Sequence, residues 1–259
     1  MLGLLPLATL AFWPRYLSTL SNAGFAFHAH GITATLWLLL LAAQSWSIHH
    51  GRRSVHRSAG MASLLLFPLF MAGGASIFLG MAQRYVEAAT PFYQLYPARL
   101  DVVGVSGIAY FYYQAMRLRR KVWLHSGYLL ATALFLLPPI LGRLSPFLPG
   151  LAINGPADFV KLGIGFQIAN AVTALIALII AWRSRVGRPF YEAAALVALS
   201  ALLYQTIGGW SAWQALYARF ADVPVLPFAL AAGAAGIAIG WAGWTTGSRN
   251  VRPADALAA

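Results

Sequence analysis

The chain has 259 residues, 60% of them apolar and only 9% charged, with a mean hydropathy of +0.69. A soluble domain has about a quarter of its residues charged, so an ordinary soluble domain is excluded. The net charge of +12 lies in short loops between apolar runs, where it reports membrane orientation and attraction to anionic lipid; no nucleic-acid partner is expected.

Apolar runs of about twenty residues are the length a helix needs to cross a bilayer core, and they are continuous rather than alternating as in a β-barrel. The expected fold is therefore all-α, a polytopic helical membrane bundle forming one domain over 1–247, with a short cytoplasmic tail over 248–259. The chain has no cysteine, which excludes disulfides, thiolate metal sites, c-type haem attachment and iron–sulfur clusters.

Eight spans are predicted, over 2–20, 24–48, 58–82, 100–118, 123–143, 158–182, 190–210 and 224–246, or seven if the first falls short of a full crossing. The first has no Lys or Arg before Arg15, unlike the positive start of a cleaved leader, and Pro6, Pro14 and Arg15 shorten its apolar stretch. With the N-terminus cytoplasmic, twelve of the eighteen basic residues fall in inner turns: Arg52, Arg53 and Arg57; Arg117 to Lys121; Arg183, Arg185 and Arg188; and Arg249 and Arg252. This asymmetry predicts both termini inside, in a bacterial cytoplasmic membrane.

The second span and the turn after it hold five of the six histidines. At about 100° per residue, His30, Trp37 and Gln44 share one helix face and His28, Thr35 and Trp46 the opposite one, so this helix packs or lines a cavity on two sides. His28 and His30 begin it, and Asp101 begins the fourth span from the same side. Ionisable groups at membrane depth are functional candidates with a partner to be named; His30 with Asp101 is the expected outer pair.

A pattern repeats. Gln44 is followed after twelve residues by His56 and after twelve more by Pro68; Gln114 is followed after eleven by His125 and after thirteen by Pro138. The third hairpin has Gln167, a basic turn, then Tyr191 and Glu192. This predicts hairpins over 24–82, 100–143 and 158–210 as parallel repeats, with helices 2–20 and 224–246 beside them. Their inner turns would then bring His56, His125 and Glu192 together, with His49 and His50 close by. Histidines with one carboxylate make a ligand set for a divalent metal, and two histidines on facing helices can hold haem b; the residues do not choose between the two, and solvated interface histidines are the plain alternative.

The amides Gln44, Gln114 and Gln167, with Trp37, are candidates to line a polar cavity or simply to join helices. In the last span Gly233, Gly236, Gly240 and Gly243 suit close helix packing, within the bundle or with a second copy or membrane-complex partner.

The segments FWPRYL, HAHGITATLWLLLLAAQSW and GRRSVHRSAG, followed by HSGYLLAT and PPILGR, resemble a group of uncharacterised bacterial multi-pass membrane proteins. The shared features fall on His30, Trp37, Gln44, His56, Arg57, Gly60, His125, Tyr128, Ala131, Thr132, Pro139 and Arg143. The hairpins are also loosely similar in architecture to cytochrome b561. The resemblance implies a membrane location but no established activity. Three functions follow as expectations: a redox protein with haem b or metal near the cytoplasmic face, a small-molecule or ion transporter with a polar intramembrane cavity, or an accessory subunit of a larger membrane complex.

Overall fold

The computed structural model describes residues 3–14, 16–88 and 90–249, without the side chains of 248 and 249. The expected tail therefore lies, from residue 250 on, outside the described residues. Those described fold into helices with no strand among them: α1 (Leu4–Phe12), α2 (Phe25–His49), α3 (Arg53–Val86), α4 (Asp101–Arg117), α5 (Val122–Ala131), α6 (Leu137–Leu144), α7 (Val160–Arg183), α8 (Arg188–Thr206), α9 (Ser211–Arg219) and α10 (Val225–Arg249).

The hairpins α2–α3, α4 with α5–α6, and α7–α8 form where expected, each turning through a basic loop. Prolines explain the irregular helices. Pro68 lies inside the 34-residue α3, while the fifth span breaks into α5, a 3-10 stretch over Thr132–Leu136, and α6, which opens at Pro138 and Pro139. A proline has no N–H to give to the preceding turn, and short 3-10 pieces absorb such breaks.

The span count is lower than expected. Helices α2, α3, α7 and α10 and the segment Val122–Phe147 are long and apolar enough to cross a bilayer; α8 with α9, bent by 108°, makes a sixth if taken as one broken span. The nine-residue α1 rises about 14 Å, too little for a hydrocarbon core of about 30 Å. Its apolar run ends at Trp13 and Pro14, so the first predicted span is not a crossing. Helix α4, with 17 residues, rises about 26 Å.

The core is built from rings. Trp37 stacks on Phe70 with centroids 5.6 Å apart, Phe67 on Tyr112 at 3.8 Å, and Phe111 tilts against Tyr128 at 5.4 Å. All six side chains are buried. Outward faces remain apolar, with Leu65, Leu175, Leu202, Leu230 and Ile237 exposed.

The α10 glycines face helices of the same chain, the first of the two kinds of packing expected of them. A Cβ at Gly236 would lie 2.9 Å from Pro68 Cα, one at Gly240 3.4 Å from the Tyr112 ring, and one at Gly243 2.7 Å from the Tyr113 carbonyl; Gly233 faces Pro68 at 3.5 Å. Missing side chains let α10 seat on α3 and α4.

Candidate functional site

At the basic end, the Gln44 amide, oriented as its neighbours require, inserts into one turn of α3. Its NH2 donates to His56 Nδ1 and, at 3.2 Å, to the His56 carbonyl; its oxygen accepts the Gly60 N–H at 2.7 Å. A Cβ on Gly60 would sit 3.4 Å from that amide, so glycine leaves room for it. This arrangement ties Gln44, His56 and Gly60 into one unit and puts the neutral His56 proton on Nε2.

His125 has the other tautomer. Its Nδ1 lies 2.8 Å from the Ala115 carbonyl, which can only accept, so Nδ1 carries the proton and Nε2 has the lone pair. The two basic turns put His56 in the first turn of α3 and His125 in the first turn of α5.

Glu192 is not with them. Its carboxylate accepts from Tyr128 Oη at 3.0 Å and from Arg188 Nε at 2.8 Å. Among the described residues no group of three or more histidines and carboxylates is placed to hold a metal ion. The expected set of His56, His125 and Glu192 is therefore corrected: an arginine and a tyrosine already hold the carboxylate. His49 and His50 turn back onto their own helix, Nδ1 to the carbonyls of Ser45 at 2.7 Å and Trp46 at 2.9 Å, and both are exposed.

The expected cavity residues are largely consumed in helix contacts. Trp37 is fully buried and donates to Thr132 Oγ1 at 3.0 Å. Gln114 donates to Tyr110 Oη at 2.9 Å and Gln167 to the Ala201 carbonyl at 3.0 Å. Gln44 is held by α3 in the same way.

At the opposite end the expected pair is adjusted. His28 meets Tyr16, Nδ1 to Oη 3.0 Å, while His30 stacks on Phe70 at 6.4 Å with its buried Nδ1 lacking a hydrogen-bond partner. Asp101 is within electrostatic reach of His30 but pairs with Arg99 NH2 at 3.0 Å. The cause is local backbone. Leu100 between them is left-handed, φ 44° and ψ 53°, folding Arg99 back over the first turn of α4. Non-glycine residues held there cost of the order of 1 kcal/mol and gather at functional sites.

Around this turn lies a cavity of about 40 Å³ whose wall includes Arg99, Arg143, Tyr96, Phe166 and Tyr204. Arg99 sits between the Tyr96 and Phe166 rings, 4.7 and 5.1 Å from their centroids, and its Nε is buried without a hydrogen-bond partner. Burial is the largest single influence and works against this cation, but the Asp101 carboxylate together with the Tyr96 and Tyr217 hydroxyls holds the guanidinium above its ordinary pKa. Arg143 donates to the Pro139 carbonyl and to Tyr96 Oη, both at 2.8 Å, and lies over Phe12 at 4.4 Å. Trp213 of α9 closes over the loop, its Nε1 donating to the Pro97 carbonyl at 2.6 Å.

The sequence reading gave Arg99 no role and Arg143 only a place in one of the quoted motifs. A signal was present: Arg99 stands two residues before Asp101, which begins the fourth span. No protein-family model, curated protein or solved structure matches this chain.

Proposed function

We propose that this is an integral membrane protein of the carrier class whose working site is the arginine-walled cavity at the bundle end opposite the basic turns. One observation carries the reading: two guanidiniums, Arg99 and Arg143, share a cavity wall inside a bundle of membrane-length helices. Charge at membrane depth is costly and marks solute sites and pathways, and small-molecule sites are apolar hollows with a few converging polar groups. The left-handed Leu100 supports it by spending conformational energy on the placement of Arg99.

The test is a solute panel on detergent-purified protein, read as the shift of the unfolding midpoint. A binding solute raises the midpoint of the native chain, and Leu162→Trp, which fills the cavity, removes the rise. A solute that still raises the midpoint in the filled variant binds elsewhere and contradicts the assignment.

A second reading, a haem or metal centre at His56 and His125, is favoured by the His125 tautomer: a hydrogen-bonded Nδ1–H with Nε2 left to ligate is the arrangement of metal-binding histidines. His56 fits only if the Gln44 amide turns over to accept a proton on Nδ1. Absorption spectra and metal analysis of the purified protein decide it, with cofactor content falling in both His56→Ala and His125→Ala; equal content in native and variant chains contradicts it.

A further inference from the structure

We infer that the ligand of the arginine cavity is an oxyanion, a carboxylate or phosphate group either free or borne by a lipid, and that Arg99 and Tyr204 recognise it while Asp101 weakens its hold. This rests on the cavity being the working site. The side chains that line the cavity include two arginines and two tyrosines but no carboxylate, amide, serine or threonine. Its charged side chains are thus both cationic, and a cation would meet repulsion. A planar guanidinium fixed between two rings presents its donors in one orientation, which suits the oxygens of a carboxylate or phosphate.

Particular atoms carry this further. Arg99 uses NH2 on Asp101 while Nε remains without an acceptor, and a buried unsatisfied donor is costly until one arrives. Tyr204 Oη makes no hydrogen bond among the described residues and sits against Gly163, where a Cβ would lie 2.5 Å from that oxygen. The cavity of about 40 Å³ exceeds the roughly 10–15 Å³ that one water needs by the same measure, so it admits a group of a few atoms. Apolar walls at Leu95, Pro138 and Leu162 also suit the chain of an amphiphile.

Asp101 is not on the cavity wall and stands behind Arg99 as a permanent counter-ion. Its charge lowers the attraction of Arg99 for any second anion. Removing that charge should therefore strengthen binding, the reverse of what removing a merely structural residue does.

The experiment titrates the full chain, in neutral detergent, with inorganic phosphate, acetate, oleate, lysophosphatidate and, as the cation control, tetramethylammonium. The expected result is binding of at least one oxyanion, weakened roughly tenfold to a hundredfold in Arg99→Gln, weakened several-fold in Tyr204→Phe, and strengthened about tenfold in Asp101→Asn. Binding of phosphate or acetate identifies a free ion, and binding of oleate or lysophosphatidate alone identifies a lipid headgroup; both support the inference. Should Arg99→Gln fail to fold, Asp101→Asn and Tyr204→Phe still decide. Tetramethylammonium binding as well as the anions, or Asp101→Asn leaving affinity unchanged, overturns it. If only neutral solutes give a Leu162-sensitive midpoint shift, the oxyanion falls and the cavity remains the working site. No solute of any kind binding removes both.

Discussion

The indole N–H of Trp37 donates to the hydroxyl of Thr132 at 3.0 Å, joining α2 to the 3-10 stretch after α5 across 95 positions of sequence. Trp37 is fully buried, and the Thr132 hydroxyl donates onward to the Leu129 carbonyl at 2.7 Å. Thr132→Val keeps the shape and removes the acceptor, leaving a buried indole N–H unpaired. We expect a loss of about 1–2 kcal/mol, read as a lower midpoint in denaturant titration of the detergent-solubilised protein. An unchanged midpoint would mean that the bond is not formed.

The insertion of Gln44 between the His56 carbonyl and the Gly60 N–H gives a second prediction. Gln44→Leu should destabilise the α2–α3 hairpin by about 1–2 kcal/mol, and Gly60→Ala by less, since its Cβ meets the amide at 3.4 Å, where the side chain yields a little. Hydrogen exchange at the start of α3 checks this: protection there should fall in Gln44→Leu and persist at α7.

Along α10 the close approaches are to backbone, which yields least. Gly236→Ala places a methyl 2.9 Å from Pro68 Cα, whereas nothing lies within 4 Å of a Cβ at Gly74. The first substitution should cost about 1–3 kcal/mol through overpacking, and Gly74→Ala should be neutral or slightly stabilising, since alanine is the better helix former. Equal midpoints for the two variants would refute the α10 seam.

A pH prediction follows from Arg99, which Asp101, Tyr96 and Tyr217 together hold above the ordinary arginine value against the effect of burial. A raised pKa means that the charged form's contribution is complete below the unfolded-state value and is lost only as pH climbs through the still higher folded value. That window lies above the pH range in which binding is measured. Binding of an alkyl sulfonate, whose charge does not titrate, should therefore be flat from about pH 7 to 10 in the native protein. In Arg99→Lys, where the same burial and the same Asp101 charge act on a group that starts near about 10.4, the decline should begin at the top of that range. A native profile that declines alongside the lysine variant would contradict the role given to Arg99.

The hairpins were readable because the signals marking them are local: basic turns, membrane-length apolar runs, and prolines at matching places. The shortness of the first span was legible for a local reason as well, since Pro14 follows closely on its nine helical residues. The repeat proved similar in layout but different in bonding. Gln44 grips His56 of its own hairpin, whereas Gln114 bonds to Tyr110 and His125 turns to the carbonyl of Ala115. The site was harder to see. Arg99 and Asp101 pair across the left-handed backbone at Leu100, and no hydrophobic pattern announces a leucine in that conformation. Trp37 and Gln167 join helices, and the sequence left cavity lining and helix joining open because a polar atom on a helix face looks the same in either role.

The most direct test of the arginine cavity as the working site is an experimental map of the full chain in a lipid nanodisc. Non-protein density against Arg99 Nε and Tyr204 Oη, absent from the map of Leu162→Trp, is the result this account predicts. A map in which protein groups alone saturate the Arg99 guanidinium and close the space beside it would contradict it.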